Sequence, residues 1–162
     1  MDPSEVAVDI EIRRQHLVDG VMTDIEGNHS EKIVPGDTVI YRTFVESVET
    51  GDTWVRMRVN IEFTDRYGRK VELTRQQIET MVKIKVDETQ WIKLSGDGWW
   101  YFKQPLKGVE KTPALFEQIV FDGASITPAF AGGSFRMSIS AHAVQAKNNA
   151  TTLEDVAGWP LS

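Results

Sequence analysis

The feature that most restricts this chain is the run Trp54 to Phe63, in which apolar and polar residues alternate without a break from Val55 onward. Val55, Met57, Val59, Ile61 and Phe63 take one set of places, and Arg56, Arg58, Asn60 and Glu62 the other. A period of two sends successive side chains to opposite faces of an extended strand, whereas a helix would spread both sets around its circumference. The same period recurs near both ends. Val6, Val8, Ile10 and Ile12 alternate with Ala7, Asp9, Glu11 and Arg13, and Phe135, Met137, Ile139, Ala141 and Ala143 alternate with Arg136, Ser138, Ser140 and His142. Val55, Val59 and Ile61 are therefore expected in a core, with the charged residues of the same strand outside it.

Turn signals separate these runs. Pro35-Gly36-Asp37 precedes the run Thr38 to Val45, Asp65-Arg66-Tyr67-Gly68-Arg69-Lys70 follows Phe63, and Ser95-Gly96-Asp97-Gly98 precedes the aromatic cluster Trp99, Trp100, Tyr101 and Phe102. Further strands are expected over Met81 to Val86, Gln90 to Leu94, Leu115 to Phe121 and Phe135 to Ala146. Helix is confined to two short pieces, one capped by Thr74 through Gln76, Gln77, Ile78 and Glu79, the other by Thr152 over Leu153 to Ala157. Many short strands, no strand–helix alternation and no repeat of 20–50 residues predict an all-β chain. The expected architecture is an antiparallel two-sheet β-sandwich with one or two short helices, formed as a single domain over residues 1–162.

Composition narrows the function. At 41% hydrophobic and 26% charged residues the chain has the make-up of a globular protein, and no apolar run approaches the ~18–20 residues a membrane helix needs. The net charge is -6 and the 18 basic residues are scattered, so a phosphate backbone is repelled and nucleic acid is not an expected partner. The absence of cysteine removes disulfides, thiolate metal sites and cysteine nucleophiles together. Met1-Asp2-Pro3-Ser4-Glu5 lacks the basic and apolar regions of a signal peptide, which leaves a cytoplasmic protein or a trimmed mature form.

No constellation points to catalysis. His16, His29 and His142 sit in separate segments without metal-ligand spacing, and Asp52 and Asp97 lie in glycine turns that do not continue into a calcium loop. Nucleophile-elbow and phosphate-loop motifs do not occur. No catalytic, cofactor-binding or metal residue is therefore expected, and no enzyme. Trp99, Trp100, Tyr101 and Phe102 could stack on sugars or on a partner, although alternation turns at least two of them inward. The triplets Asn28-His29-Ser30 and Asn149-Ala150-Thr151 match the glycosylation pattern, which short sequences do by chance.

Three blocks in order, Ile33-Val34-Pro35-Gly36-Asp37-Thr38-Val39, Trp54-Val55-Arg56-Met57-Arg58-Val59 and Asp97-Gly98-Trp99-Trp100-Tyr101-Phe102, resemble successive blocks of one bacterial family. That family is the TasA and camelysin-like exported proteins, including the alternate signal-mediated exported proteins. The likeness continues in Pro105-Leu106, Gly108 to Thr112, Leu115-Phe116, Ala143 to Ala146 and Trp159, and so spans about residues 6–159. It differs at Glu46 to Gly51, where the family often has Asn-Gly, and in the missing signal peptide.

The resemblance implies a jelly-roll-like sandwich, export in Gram-positive bacteria, and an extracellular or cell-surface role in biofilm matrix fibres. The implied partners are other copies of the chain or related matrix proteins, joined by N-terminal strand donation through Val6, Val8, Ile10 and Ile12. Two alternatives stand beside it: a camelysin-like metal-dependent protease, and a carbohydrate-binding or adhesive module that would use the Trp99 to Phe102 patch on surface glycans.

Overall fold

The computed structural model describes residues 10–25, 30–48 and 51–160. These form two antiparallel sheets packed as a sandwich. In the first sheet, β1 (Ile10–Val18) lies between β2 (Val21–Asp24) and β4 (Thr38–Ser47), followed by β10 (Gln118–Phe121) and β7 (Val82–Ile84). In the second, β3 (Glu31–Lys32) flanks β11 (Ser134–Gln145), which pairs with β5 (Thr53–Thr64), then β9 (Trp100–Phe102) and β8 (Trp91–Ile92). A further short strand, β6 (Lys70–Val71), pairs with β5 beyond β9. The strongest alternation builds the longest ladder: β5 and β11 pair residue for residue from Thr53↔Gln145 to Thr64↔Ser134.

The turns expected from the sequence close these strands. Gly36 has φ +84° in the turn before β4, and Gly68 has φ +81° in the turn between β5 and β6, a region open to glycine without a Cβ penalty. Asp65 fixes the second turn by accepting the backbone N–H of Tyr67 and of Arg69, both at 2.9 Å. Thr74 caps the only α-helix among the described residues, α1 (Arg75–Met81): its hydroxyl accepts the Gln77 N–H while the Gln77 side chain accepts the Thr74 N–H. Thr152 precedes a single 3-10 turn, Leu153–Asp155.

Several strands differ in extent from expectation. The first runs from Ile10 to Val18, because Asp19 and Gly20 at positive φ turn it back into β2; Val6 and Val8 lie outside the described residues. Of Leu115 to Phe121 only Gln118–Phe121 is strand, yet Leu115 and Phe116 are buried, since the chain before β10 runs along β4 with Thr112 N–H on the Val45 carbonyl and Leu115 N–H on the Thr43 carbonyl. Met81 ends α1, which leaves β7 only Val82–Ile84. Gln90 to Leu94 shortens to Trp91–Ile92.

The core fills the space between the sheets. Val55, Met57 and Phe63 of β5 and Phe135, Met137 and Ala143 of β11 meet Tyr41, Val45, Ile119 and Phe121 from the first sheet. Val59 and Ile61, expected there as well, are only half-buried and pack at the margin of the core. Ile61→Ala should accordingly cost about 1–2 kcal/mol, below the ~2–5 of a fully buried isoleucine; chemical denaturation measures it, and a loss above that range would place Ile61 in the closed core.

Gly133 marks the tightest backbone approach, since a Cβ there would collide with the Thr64 carbonyl oxygen. Only glycine lets the chain enter β11 against the end of β5 at this point.

Candidate functional site

Two places stand out, and the β5–β11 ladder positions both. The first is the margin where β1 of one sheet faces β11 of the other. On its outer side β11 is paired only at Ser134 and Phe135, with β3, so among the described residues its edge from Arg136 to Gln145 has no strand partner. The outer side of β1 is paired with β2 from Gln15 onward, and the Arg14 carbonyl accepts the Ile25 N–H; before Arg14 that side has no strand partner among the described residues. Between these edges lies a hollow of about 410 Å³ lined by Ile12, Arg14, Met137, Ser138 and Ile139, with Glu62 and Arg136 at its rim. Side chains from β1 stitch the sheets at its base: Arg14 Nη1 donates to the Met137 carbonyl at 2.9 Å, and His16 Nδ1 lies 2.8 Å from Glu31 Oε1.

The direction of the free backbone groups follows from parity. Met137 turns its carbonyl toward Arg14 and away from β5, whereas the Ala146 N–H reaches the Asp52 carbonyl on the β5 side. Even positions therefore serve the ladder, and Ile139, Ala141 and Ala143 direct N–H and C=O outward. Their side chains, with Met137, are the inward ones, so the edge is a row of backbone groups above an apolar floor.

The strand-donation candidates meet this margin only in part. Ile12 lines the hollow and is 38% exposed, and Ile10 packs against the core opposite Ser47 of β4. Val6 and Val8 fall outside the described residues.

The second place is the outer face of β5 at its first half. The aromatic patch divides here: Phe102 enters the main core, Trp99 and Tyr101 enter a second cluster with Trp54, Val144, Leu153 and Val156, and Trp100 is half-exposed beneath the Lys93 ammonium. Three of the four aromatics are thus buried. Trp99 carries the guanidiniums of Arg56 and Arg58 at 4.2 and 4.6 Å from its ring centre, and the His142 ring at 4.5 Å. A sugar would have to displace these groups to stack on it.

Arg56, expected on the solvent face, is 7% exposed. The segment after β11 covers it, with Trp159 over the guanidinium at 4.9 Å. Arg56 Nε and Nη2 donate to His142 Nδ1 at 3.1 and 2.9 Å, Nη1 to the Tyr101 hydroxyl at 3.1 Å and Nη2 also to the Pro160 carbonyl at 2.7 Å. The alternating pattern of β5 could not reveal this. The signal lay a hundred residues later, in the spacing of Leu153, Val156 and Trp159.

The carboxylates in glycine turns perform turn chemistry. Asp97 accepts the Trp99 N–H at 3.0 Å; burial pushes its carboxyl pKa up, but that bond, the Ser95 side chain and the Arg56 charge together leave it lowered. Asp52 pairs with Lys107 at 2.9 Å, a bond that lowers its pKa. Among the described residues no three His, Asp or Glu side chains gather where they could hold a metal ion; His29 lies outside them. The Asn149 amide ties the segment after β11 to itself, accepting the Ala150 and Ala157 N–H groups and donating to the Ala157 carbonyl. No helix among the described residues is long and apolar enough to cross a membrane.

No protein-family model, curated protein or solved structure matches the chain.

Proposed function

We propose that this is an exported structural protein of the bacterial cell surface or biofilm matrix, of the TasA and camelysin-like kind, which assembles by strand donation between copies. The observation that carries the reading is the edge of β11 from Arg136 to Gln145, which has no strand partner among the described residues and faces an edge of β1 that β2 covers only in part. Such an edge is a template for an added strand, and the hollow beside it offers room for alternate side chains of that strand. The segment ahead of β1 fits the template by composition. Val6 and Val8 suit the apolar floor of Ile12, Met137 and Ile139.

The donor is residues 1–9, since β1 itself is committed to β4 from Ile10↔Ser47 to His16↔Tyr41. Removing residues 1–9 should therefore abolish assembly and leave the sandwich folded. Sedimentation and electron microscopy of the purified protein, with thermal melts as the control for folding, test this. Polymers from the shortened chain, or a full chain that stays monomeric at high concentration, would overturn the reading.

A further inference from the structure

The outer face of the second sheet carries two guanidiniums that the protein leaves unmatched. Arg58, on β5, makes no hydrogen bond or ion pair among the described residues, and its Nε is shut from water without a partner. What holds it is the Trp99 ring, whose centre lies 4.6 Å from the guanidinium carbon. Arg75, the first residue of α1, is exposed and makes neither kind of bond among the described residues. It lies against Gly98, where a Cβ would stand 2.8 Å from Arg75 Nη1. A single exposed arginine is ordinary, but a guanidinium with an orphaned buried donor calls for an explanation.

The topology brings the two together. β9 pairs with β5 at Arg56 and Met57, and β6 pairs with it at Phe63 and Thr64, so between them that side of β5 has no strand partner among the described residues. The turn before β9 and the start of α1 meet beside this gap. Gly98 and Trp99 are consecutive, so both cations rest on one dipeptide, and Gly98, at φ +86°, leaves Arg75 the space that a side chain would fill. Arg56, the other cation on Trp99, is committed to His142, Tyr101 and Pro160. The carboxylates of this face are engaged too: Glu62 pairs with Arg136, and Asp97 accepts the Trp99 N–H.

We propose that Arg58 and Arg75 form a binding site for an acidic saccharide, a chain of uronic acids whose carboxylates they hold. With Nε closed off, Arg58 offers the edge made by its two Nη groups, whose parallel N–H bonds match the two oxygens of one carboxylate. Uncharged side chains stand beside it on the same face: Ser140 is its cross-strand partner, and Asn60 pairs with Ser138 in the next outward row. Cross-strand neighbours have Cβ atoms about 4.5–5.5 Å apart, so a sugar whose carboxylate sits on Arg58 has hydroxyl and amide groups within reach of its own hydroxyls. The sugar ring lies beside Trp99 rather than on it, since Arg56 and Arg58 already cover the indole. Two guanidiniums on an open face suit a polymer that carries acids at intervals. The net charge of -6 repels a polyanion from the molecule as a whole, which makes this pair of cations a local exception.

The site stands apart from strand donation, which uses the backbone edge of β11, so either reading can fail without the other. Isothermal titration of the full chain with a uronate tetrasaccharide tests it. Arg58→Gln and Arg75→Gln should each weaken binding at least about tenfold, the scale of a lost charge-assisted hydrogen bond. Arg66→Gln, in the turn after β5, should leave it unchanged. Because Arg58 also packs on Trp99, the exposed Arg75 keeps the test independent of folding. Nitrogen NMR of the wild-type arginine side chains supplies a readout free of variants: the Arg58 Nε–H signal should shift on titration and that of Arg66 should not. The tetrasaccharide with its carboxyls reduced to alcohols should not bind, and polyphosphate of equal charge should bind more weakly. No uronate binding at millimolar concentration, equal binding of the reduced sugar or of polyphosphate, or Arg58 and Arg75 variants that bind as the wild type does would each overturn the proposal.

Discussion

Phe135→Ala should lower the unfolding free energy by about 3–5 kcal/mol, the cost of deleting a buried aromatic ring and leaving its cavity. Phe135 is 1% exposed, near the start of β11, and its ring meets Phe121 of β10 edge to face with centroids 5.1 Å apart. It therefore joins the two sheets at the end of the sandwich where β3 and Gly133 crowd the backbone, and little can move in to refill the space. Against the ~5–15 kcal/mol that holds a typical domain together, this is a large fraction. Urea titration should show the midpoint falling with the slope unchanged. A loss under about 1 kcal/mol, near the range of surface sites, would mean that the sheets do not meet through this ring.

Ala141→Pro should stop the proposed assembly almost completely and leave the fold intact. The Ala141 N–H points away from β5, so proline removes a donor from the free edge without breaking a rung of the β5–β11 ladder. A neighbour's strand needs that donor, and the ring also obstructs its approach. Ser140→Pro is the matched control: its N–H faces β5, and the same substitution one residue away should destabilise the sandwich by about 3 kcal/mol or more. Sedimentation reads the first effect and thermal melting the second. Polymers from Ala141→Pro would rule out the β11 edge as the acceptor, and equal melting losses from the two prolines would overturn the assigned direction of the backbone.

These two substitutions sit on one strand, and the sequence spoke differently about each. The pattern over Phe135 to Ala143 states which residues share a face, because in a strand the face follows from parity alone. Phe135 and Met137 could be placed in a core before any neighbour was known, and the turns at Pro35-Gly36-Asp37 and Asp65 to Lys70 could be placed because glycine and aspartate act there through their own backbones. The Thr74 cap was readable for the same reason: its partner is three residues away.

What the sequence could not decide is which strand lies beside which, and what covers the second face of a sheet. Parity sends Arg56 outward, and nothing within β5 announces that Trp159 and Pro160 return to close over it. Val59 and Ile61 belong to the apolar face by pattern, yet their burial depends on what the rest of the chain packs over them, and they end half-covered at the margin of the core. That the edge of β11 from Arg136 to Gln145 has no strand partner among the described residues is likewise a property of sheet order. A strand's own residues specify its two faces, but its edges are satisfied or left free by segments distant in the chain, and only the tertiary structure records which.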